Sequence, residues 1–171
     1  MWRYNGSKRP DFAELPKKGQ ESVWDYPRPP SMRSVEVMVE VKYADSLLAQ
    51  SDEALCVSET ASPPVFYIPF AHVVFDLLRE TPGRSFCEWK GEASYWKIID
   101  NREMIEPVAW SYKAPAKPYE KLKNSLAFYP GRVDCYIDRE KVTSQPGGFY
   151  GGWVTSKICG PIKGQPGTES W

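Results

Sequence analysis

His72 is the sole histidine of the 171-residue chain, and Cys56, Cys87, Cys135 and Cys159 are its thiols. Structural zinc, or a nucleophile activated by an imidazole, would have to draw on these side chains. Structural zinc takes thiolate or imidazole ligands with pairs spaced a few residues apart. No such pair occurs, so no metal is expected, and isolated thiols in strands read as small buried hydrophobes. A nucleophile needs an adjacent base, and a Cys87–His72 dyad is the arrangement that these residues allow. The plainer reading has His72 decorating a turn after Pro69 while Cys87 packs inward. Neither G-x-x-x-x-G-K-[ST] nor G-x-G-x-x-G occurs, and Gly147-Gly148 and Gly151-Gly152 precede no helix, so nucleotide binding has no support. Acidic pairs such as Glu88 and Glu92 normally belong to solvated faces.

The notable concentration is aromatic: Trp89, Tyr95, Trp96, Trp110 and Tyr112, interleaved with Lys90, Ser94 and Ser111. Alternation places Val108, Trp110 and Tyr112 on one face of a sheet, and Tyr95 and Trp96 on opposite faces of their strand. Rings of this size dominate small β cores, which is one reading. The other is a concave aromatic pocket with polar groups at its rim, the usual form of a small-molecule site or cation cage.

The elements that position these residues read mostly as strands. Val35, Val37, Val39 and Val41 alternate with Glu36, Met38, Glu40 and Lys42, the period of a half-buried strand. Further strands are expected over Ala54–Thr60 and Val65–Ile68, and Val73, Phe75 and Leu77 alternate again. Phe86–Trp89, Ala93–Ile99 and Pro107–Lys113 follow as a meander with turns at Lys90-Gly91 and Asp100-Asn101. Leu122 and Leu126, four apart, predict one short helix over Tyr119–Leu126. Arg132–Ile137 and Lys141-Val142 read as a hairpin around Asp138-Arg139-Glu140, without the usual glycine. The pattern predicts a mostly β domain, barrel-like or a twisted sheet, over residues 32–142. Residues 1–31 form an extended, proline-rich arm, and residues 143–171 a Gly- and Pro-rich tail packed on the domain. Trp2, Trp24, Phe149, Tyr150, Trp153 and Trp171 are the expected anchors of arm and tail, either on the same domain or on a second subunit.

Length and composition set outer bounds. One domain of this size buries a core without staples. The 22 basic and 22 acidic side chains cancel, and their tracts are short and mixed, which argues against a nucleic-acid partner. Neither a signal-peptide stretch nor a long apolar run is present, so the expectation is a cytoplasmic protein with reduced thiols and no membrane partner.

Several blocks carry a family resemblance. They are Val23-Trp24-Asp25-Tyr26-Pro27-Arg28-Pro29-Pro30, Glu59-Thr60 through Pro63-Pro64 to Tyr67-Ile68-Pro69, and Cys87-Glu88-Trp89-Lys90-Gly91-Glu92-Ala93-Ser94-Tyr95-Trp96. Ala109-Trp110-Ser111-Tyr112 and Ala127-Phe128-Tyr129-Pro130 complete the set. From about Val23 to Val142 the chain resembles the domain of unknown function family number 427, in its longer bacterial and fungal form. The resemblance implies a compact two-sheet fold similar to the β-tent, and no established activity. A nucleotidyltransferase label is attached to the family, but the glycine-serine motif and paired aspartates of that chemistry have no counterpart here, where Asp45 and Asp52 stand alone. Other β-tent domains hold zinc through C-x-x-C pairs, absent here, or bind small ligands in an aromatic cage.

These readings converge on a small-molecule-binding module, monomeric or homodimeric and without cofactor. Tyr67, Trp89, Lys90, Tyr95, Trp110 and Tyr112 are its candidate ligand-binding residues, with Lys90 at the rim facing a small anionic or planar ligand. The alternatives are an enzyme using Cys87, Lys90 or Tyr67 as its reactive group, and a protein-interaction module working through the arm and tail.

Overall fold

β-branched and aromatic residues recur here in short runs cut by Gly, Pro and Asp, a composition that suits pleated elements and frequent turns. The computed structural model, which describes residues 2–99 and 106–171, is accordingly mostly β. In chain order the first strands are β1 (Glu21–Ser22), β2 (Ser31–Ser34), β3 (Val39–Tyr43), β4 (Ser46–Ser51), β5 (Leu55–Ser58) and β6 (Val65–Pro69). Next come β7 (Leu78–Cys87), β8 (Gly91–Ile98), β9 (Ala109–Tyr112), β10 (Ser125–Phe128) and β11 (Asp134–Ile137). The chain closes with β12 (Glu140–Lys141), β13 (Thr143–Ser144), β14 (Trp153–Val154) and β15 (Ile158–Cys159). Helical structure among the described residues consists of 3-10 turns at Val23–Asp25, Phe70–His72, Phe75–Leu77 and Lys117–Leu122.

Two antiparallel sheets form the body. The larger runs β2-β5-β6-β10-β9-β8-β7 and the smaller β12-β11-β3-β4, and neither closes into a barrel among the described residues. Alternation gives the larger sheet two distinct faces. Cys56, Phe66, Ile68, Ile98, Ala109, Leu126 and Phe128 point to the smaller sheet and pack with its Val39, Val41, Cys135 and Ile137 as the main core. Val57, Tyr67, Ala93, Trp110, Tyr112 and Ala127 point the other way and build a second, aromatic cluster.

Several expectations change against this architecture. Val35 to Val41 is not one strand: β2 ends at Ser34 in the larger sheet and β3 begins at Val39 in the smaller. Residues 35–38 cross between the sheets, and Val35 and Val37 still pack on the core. Period-two alternation reports an extended chain with one buried side, whether or not it is hydrogen-bonded in a ladder. Phe75 and Leu77 likewise lie in a 3-10 turn rather than a strand. The expected helix over Tyr119–Leu126 is a 3-10 segment ending at Leu122, interrupted by non-helical dihedrals at Tyr119. Asn124 then turns the chain through a positive φ of 58°, and Leu126 enters β10 opposite Ile68. Leu122 faces the aromatic cluster and Leu126 the main core, so their spacing is not a helical face. Val108 packs in the main core, parted from Trp110 and Tyr112, because it precedes β9 in a bend. The hairpin β11–β12 turns on Asp138 and Arg139, both at positive φ, which replaces the expected glycine. The expected Asp100-Asn101 turn lies outside the described residues.

The terminal segments pack on this body. Trp24 is fully buried, with the rings of Tyr4, Phe12 and Trp171 each 5.1–5.2 Å from it. β1 pairs in parallel with β15, and Trp153 enters the main core, 5.2 Å from Phe66, donating Nε1–H to the Phe128 carbonyl at 3.0 Å. Phe149 departs from the expected anchoring: it is 78% exposed and meets only the edge-on ring of Tyr150 among the described aromatics.

Candidate functional site

The aromatic face takes its shape from strand register. Leu55, Tyr67, Ala127, Trp110 and Tyr95 lie side by side in one row across β5, β6, β10, β9 and β8. Ala127 is the small member, and over it Trp110 Nε1–H donates to Tyr67 Oη at 3.2 Å. Tyr112 stands in the next row, opposite Ala93, with its ring 6.3 Å from that of Tyr67. Tyr129, just beyond β10, tilts against Trp110 at 4.5 Å. Tyr95 is fixed by a 2.6 Å hydrogen bond to Ser85 of β7.

Trp89 and Lys90 arrive from the β7–β8 turn. Cys87 pairs with Gly91 across the hairpin, leaving Glu88, Trp89 and Lys90 as its loop, and Gly91 adopts a φ of +99° that other residues rarely accept. The Lys90 carbonyl accepts from Ala116 N–H at 3.0 Å, which ties the loop to the segment before Lys117. Tyr67, Cys87, Trp89, Lys90, Tyr95, Trp110 and Tyr112 therefore line a single cleft of about 980 Å³. All of the candidate ligand-binding residues and all three reactive candidates are brought together. His72 is elsewhere: its Nδ1 meets Ser51 Oγ at 2.7 Å and its Nε2 lies 3.7 Å from Glu53, so no Cys87–His72 dyad forms. The thiols are also dispersed, with Cys56 and Cys135 in the main core and Cys159 on β15.

The remaining walls come from residues that the sequence did not place at the site. Arg28, its side chain 3% exposed, pairs with Glu59 at 2.9 Å and donates to the carbonyls of Tyr4, Thr60 and Trp171. Trp2 lies between Arg28 and Lys163, with its ring 4.3 Å from the guanidinium and 3.8 Å from the ammonium, and reaches across to Glu88 with Nε1–H at 2.5 Å. Arg132 stacks 4.0 Å over Tyr129 and pairs with Glu106 at 3.4 Å. Gly151 touches Trp110 so closely that a Cβ there would sit 2.3 Å from the ring. No local pattern marks Trp2, Arg28 or Lys163 as neighbours of Trp110. They meet only because both terminal segments fold over the same face.

Burial sets the protonation states in the cleft. It pushes the Tyr67, Tyr112 and Tyr129 phenols above their ordinary range, so all three are neutral hydroxyls at physiological pH. Burial opposes the Lys90 ammonium, but Tyr67, Cys87 and Glu59 around it offset this and hold its pKa above the ordinary amine value. Lys163 goes the other way, down to about 8, through burial and the neighbouring Arg28 charge.

The sequence profile of the domain of unknown function DUF427 matches residues 31–139, more than half of the chain, and the protein belongs to that family. No curated protein matches the chain. The matched stretch contains the aromatic rows and the β7–β8 loop, whereas Trp2, Arg28, Lys163 and the Gly147–Gly152 wall lie outside it.

Proposed function

We propose that this member of the DUF427 family is a binding module for a small planar molecule, held in the aromatic cleft. One observation carries the reading: the larger sheet, already buried on one face by its partner sheet, turns a second face of Tyr67, Trp110, Tyr112 and Tyr95 toward an open cavity. Tyr67, Trp110 and Tyr112 are themselves buried members of the second cluster and line the cavity as well. Trp89 and the buried Lys90 line it with them, around a volume of about 980 Å³. Flat rings with a few convergent polar groups are the common construction of sites for planar organic ligands.

An enzyme built on the same cleft is the second reading, favoured by the position of the Cys87 thiol close enough to Lys90 and Tyr112 to perturb both. Native mass spectrometry of the gently purified protein separates the two. A retained, dissociable small molecule is the expected result; a covalent adduct on Cys87 or Lys90 supports the enzyme. A clean apo mass that no planar compound shifts, in the same spectra, argues against the binding module. Among the described residues no helix is long and apolar enough to cross a membrane.

A further inference from the structure

Trp2 lines the cleft without belonging to a core. It joins none of the three apolar clusters among the described residues, whereas Tyr4, Trp24 and Trp171 pack together in one of them. What holds its indole is polar. The Arg28 guanidinium lies 4.3 Å and the Lys163 ammonium 3.8 Å from the ring, and Glu88 accepts its Nε1–H at 2.5 Å. Cations are drawn to electron-rich ring faces, and to an indole most of all. The arm is pinned to the body from Arg3 onward, where the Arg3 N–H donates to the Ser170 carbonyl at 3.0 Å, so Trp2 hangs one residue outside that anchor.

The slot does not depend on its occupant. Arg28 is fixed by Glu59 and by the carbonyls of Tyr4, Thr60 and Trp171, and Lys163 by those of Glu169 and Trp171 at 3.0 and 3.2 Å. Withdrawing Trp2 breaks none of these contacts. It would leave two cations close enough for Arg28 to depress Lys163, with no ring to screen them. Resting on the reading of the cleft as a planar-ligand site, we infer that the Arg28–Lys163 slot is the subsite for an electron-rich aromatic ring with a hydrogen-bond donor on its edge, an indole or its like, and that Trp2 is the built-in occupant such a ring displaces. The exchange conserves contacts: the incoming ring meets the same two cations, its N–H meets Glu88, and Trp2 swings about Arg3 into solvent. An electron-poor ring gains little from the cations and does not displace it.

Calorimetric titration of the full chain with indole separates an occupant from a wall by the sign of the effect. A slot filled by Trp2 about nine-tenths of the time weakens apparent binding about tenfold, so Trp2→Ala is expected to bind indole at least about tenfold more tightly than wild type. Equal or weaker binding by Trp2→Ala makes Trp2 a wall of the cleft and overturns the inference. 1-Methylindole, flat and electron-rich but without the N–H, should bind Trp2→Ala about tenfold more weakly than indole does, the worth of a hydrogen bond to a charged group. Equal affinity rejects the Glu88 contact and with it the ligand class. Fluorine NMR of wild type labelled with 5-fluorotryptophan, its Trp2 signal assigned from Trp2→Phe, reads the displacement directly: saturating indole should move that signal to its position in the urea-unfolded chain. Indole that binds wild type and leaves the signal in place sits on the Tyr67–Trp110 face instead, so the slot fails and the planar-ligand site survives. If indole binds neither wild type nor Trp2→Ala, slot and site fail together.

Discussion

Lys163 combines nearly complete burial with a cationic neighbour, and its titration has a consequence for stability. In the folded protein its pKa lies near 8, held down by burial and by Arg28, whereas in the unfolded chain it titrates at roughly 10.4. Between those values the unfolded chain holds a proton that the folded chain lacks, so this group makes stability rise with pH in that window. The buried Cys56 and Cys135 thiols and the cleft phenols are shifted upward and act in the opposite sense above their ordinary values. The clean interval is therefore about pH 7 to 9. Across it, wild type should gain melting temperature relative to Lys163→Met, and a constant difference would mean that Lys163 titrates as an exposed amine. At this scale the sequence was informative about part of the site. Trp89, Lys90, Tyr95, Trp110 and Tyr112 are close in the chain, and hairpin geometry alone brings them together. Tyr67 entered through the family resemblance. Trp2, Arg28 and Lys163 were not legible, because their proximity depends on contacts spanning more than a hundred residues.

Among the elements, short strands and glycine contacts govern how the tail reaches the cleft. Gly147 and Gly148 both have positive φ, 88° and 70°, so alanine at either carries a left-handed cost of about 1 kcal/mol. They differ in surroundings. A Cβ on Gly147 would lie 2.0 Å from the Gly164 carbonyl oxygen, a backbone atom that cannot swing aside, while nothing lies within 4 Å of Gly148. Gly147→Ala should consequently lower the melting temperature well beyond Gly148→Ala, by a further 1–3 kcal/mol or so in urea titrations. Equal effects would show that the 147–164 contact is loose. Strand character was legible where alternation and turn chemistry agreed, as at β5, β6 and β8. It failed over Val35–Val41, where the chain crosses from the larger sheet to the smaller, and at Leu122–Leu126, because residue spacing cannot tell which of two cores an extended chain is facing. β4 escaped notice, since its Ser46-Leu47-Leu48-Ala49-Gln50-Ser51 run lacks β-branched residues and is held by pairing with β3.

Over the whole molecule, the terminal segments complete both the core and the cleft. The tail supplies Trp153 to the space between the sheets, β15 as partner of β1, and a Lys163 N–H that donates to the Ala61 carbonyl. Gln145 fastens its loops, donating to the Lys163 carbonyl at 2.8 Å and accepting from Gly152 N–H at 3.0 Å. Loss of a fully buried Trp from a core costs about 3–5 kcal/mol, a large part of the roughly 5–15 kcal/mol that holds a domain folded. Deleting residues 145–171 should therefore lower the melting temperature sharply and raise binding of a hydrophobic dye, because Phe66, Phe128 and Trp24 lose their cover. Phe149→Ser in the intact chain provides the contrast: that ring is largely exposed, and its removal should leave the melting temperature within a degree or so of wild type. The same deletion strips Gly151 from the face of Trp110 and Lys163 from Trp2, so planar-ligand binding should be lost together with stability rather than after it. A truncated protein that melts like the intact one and keeps its ligand would place the cleft wholly within residues 1–144 and reduce the tail to an appendage.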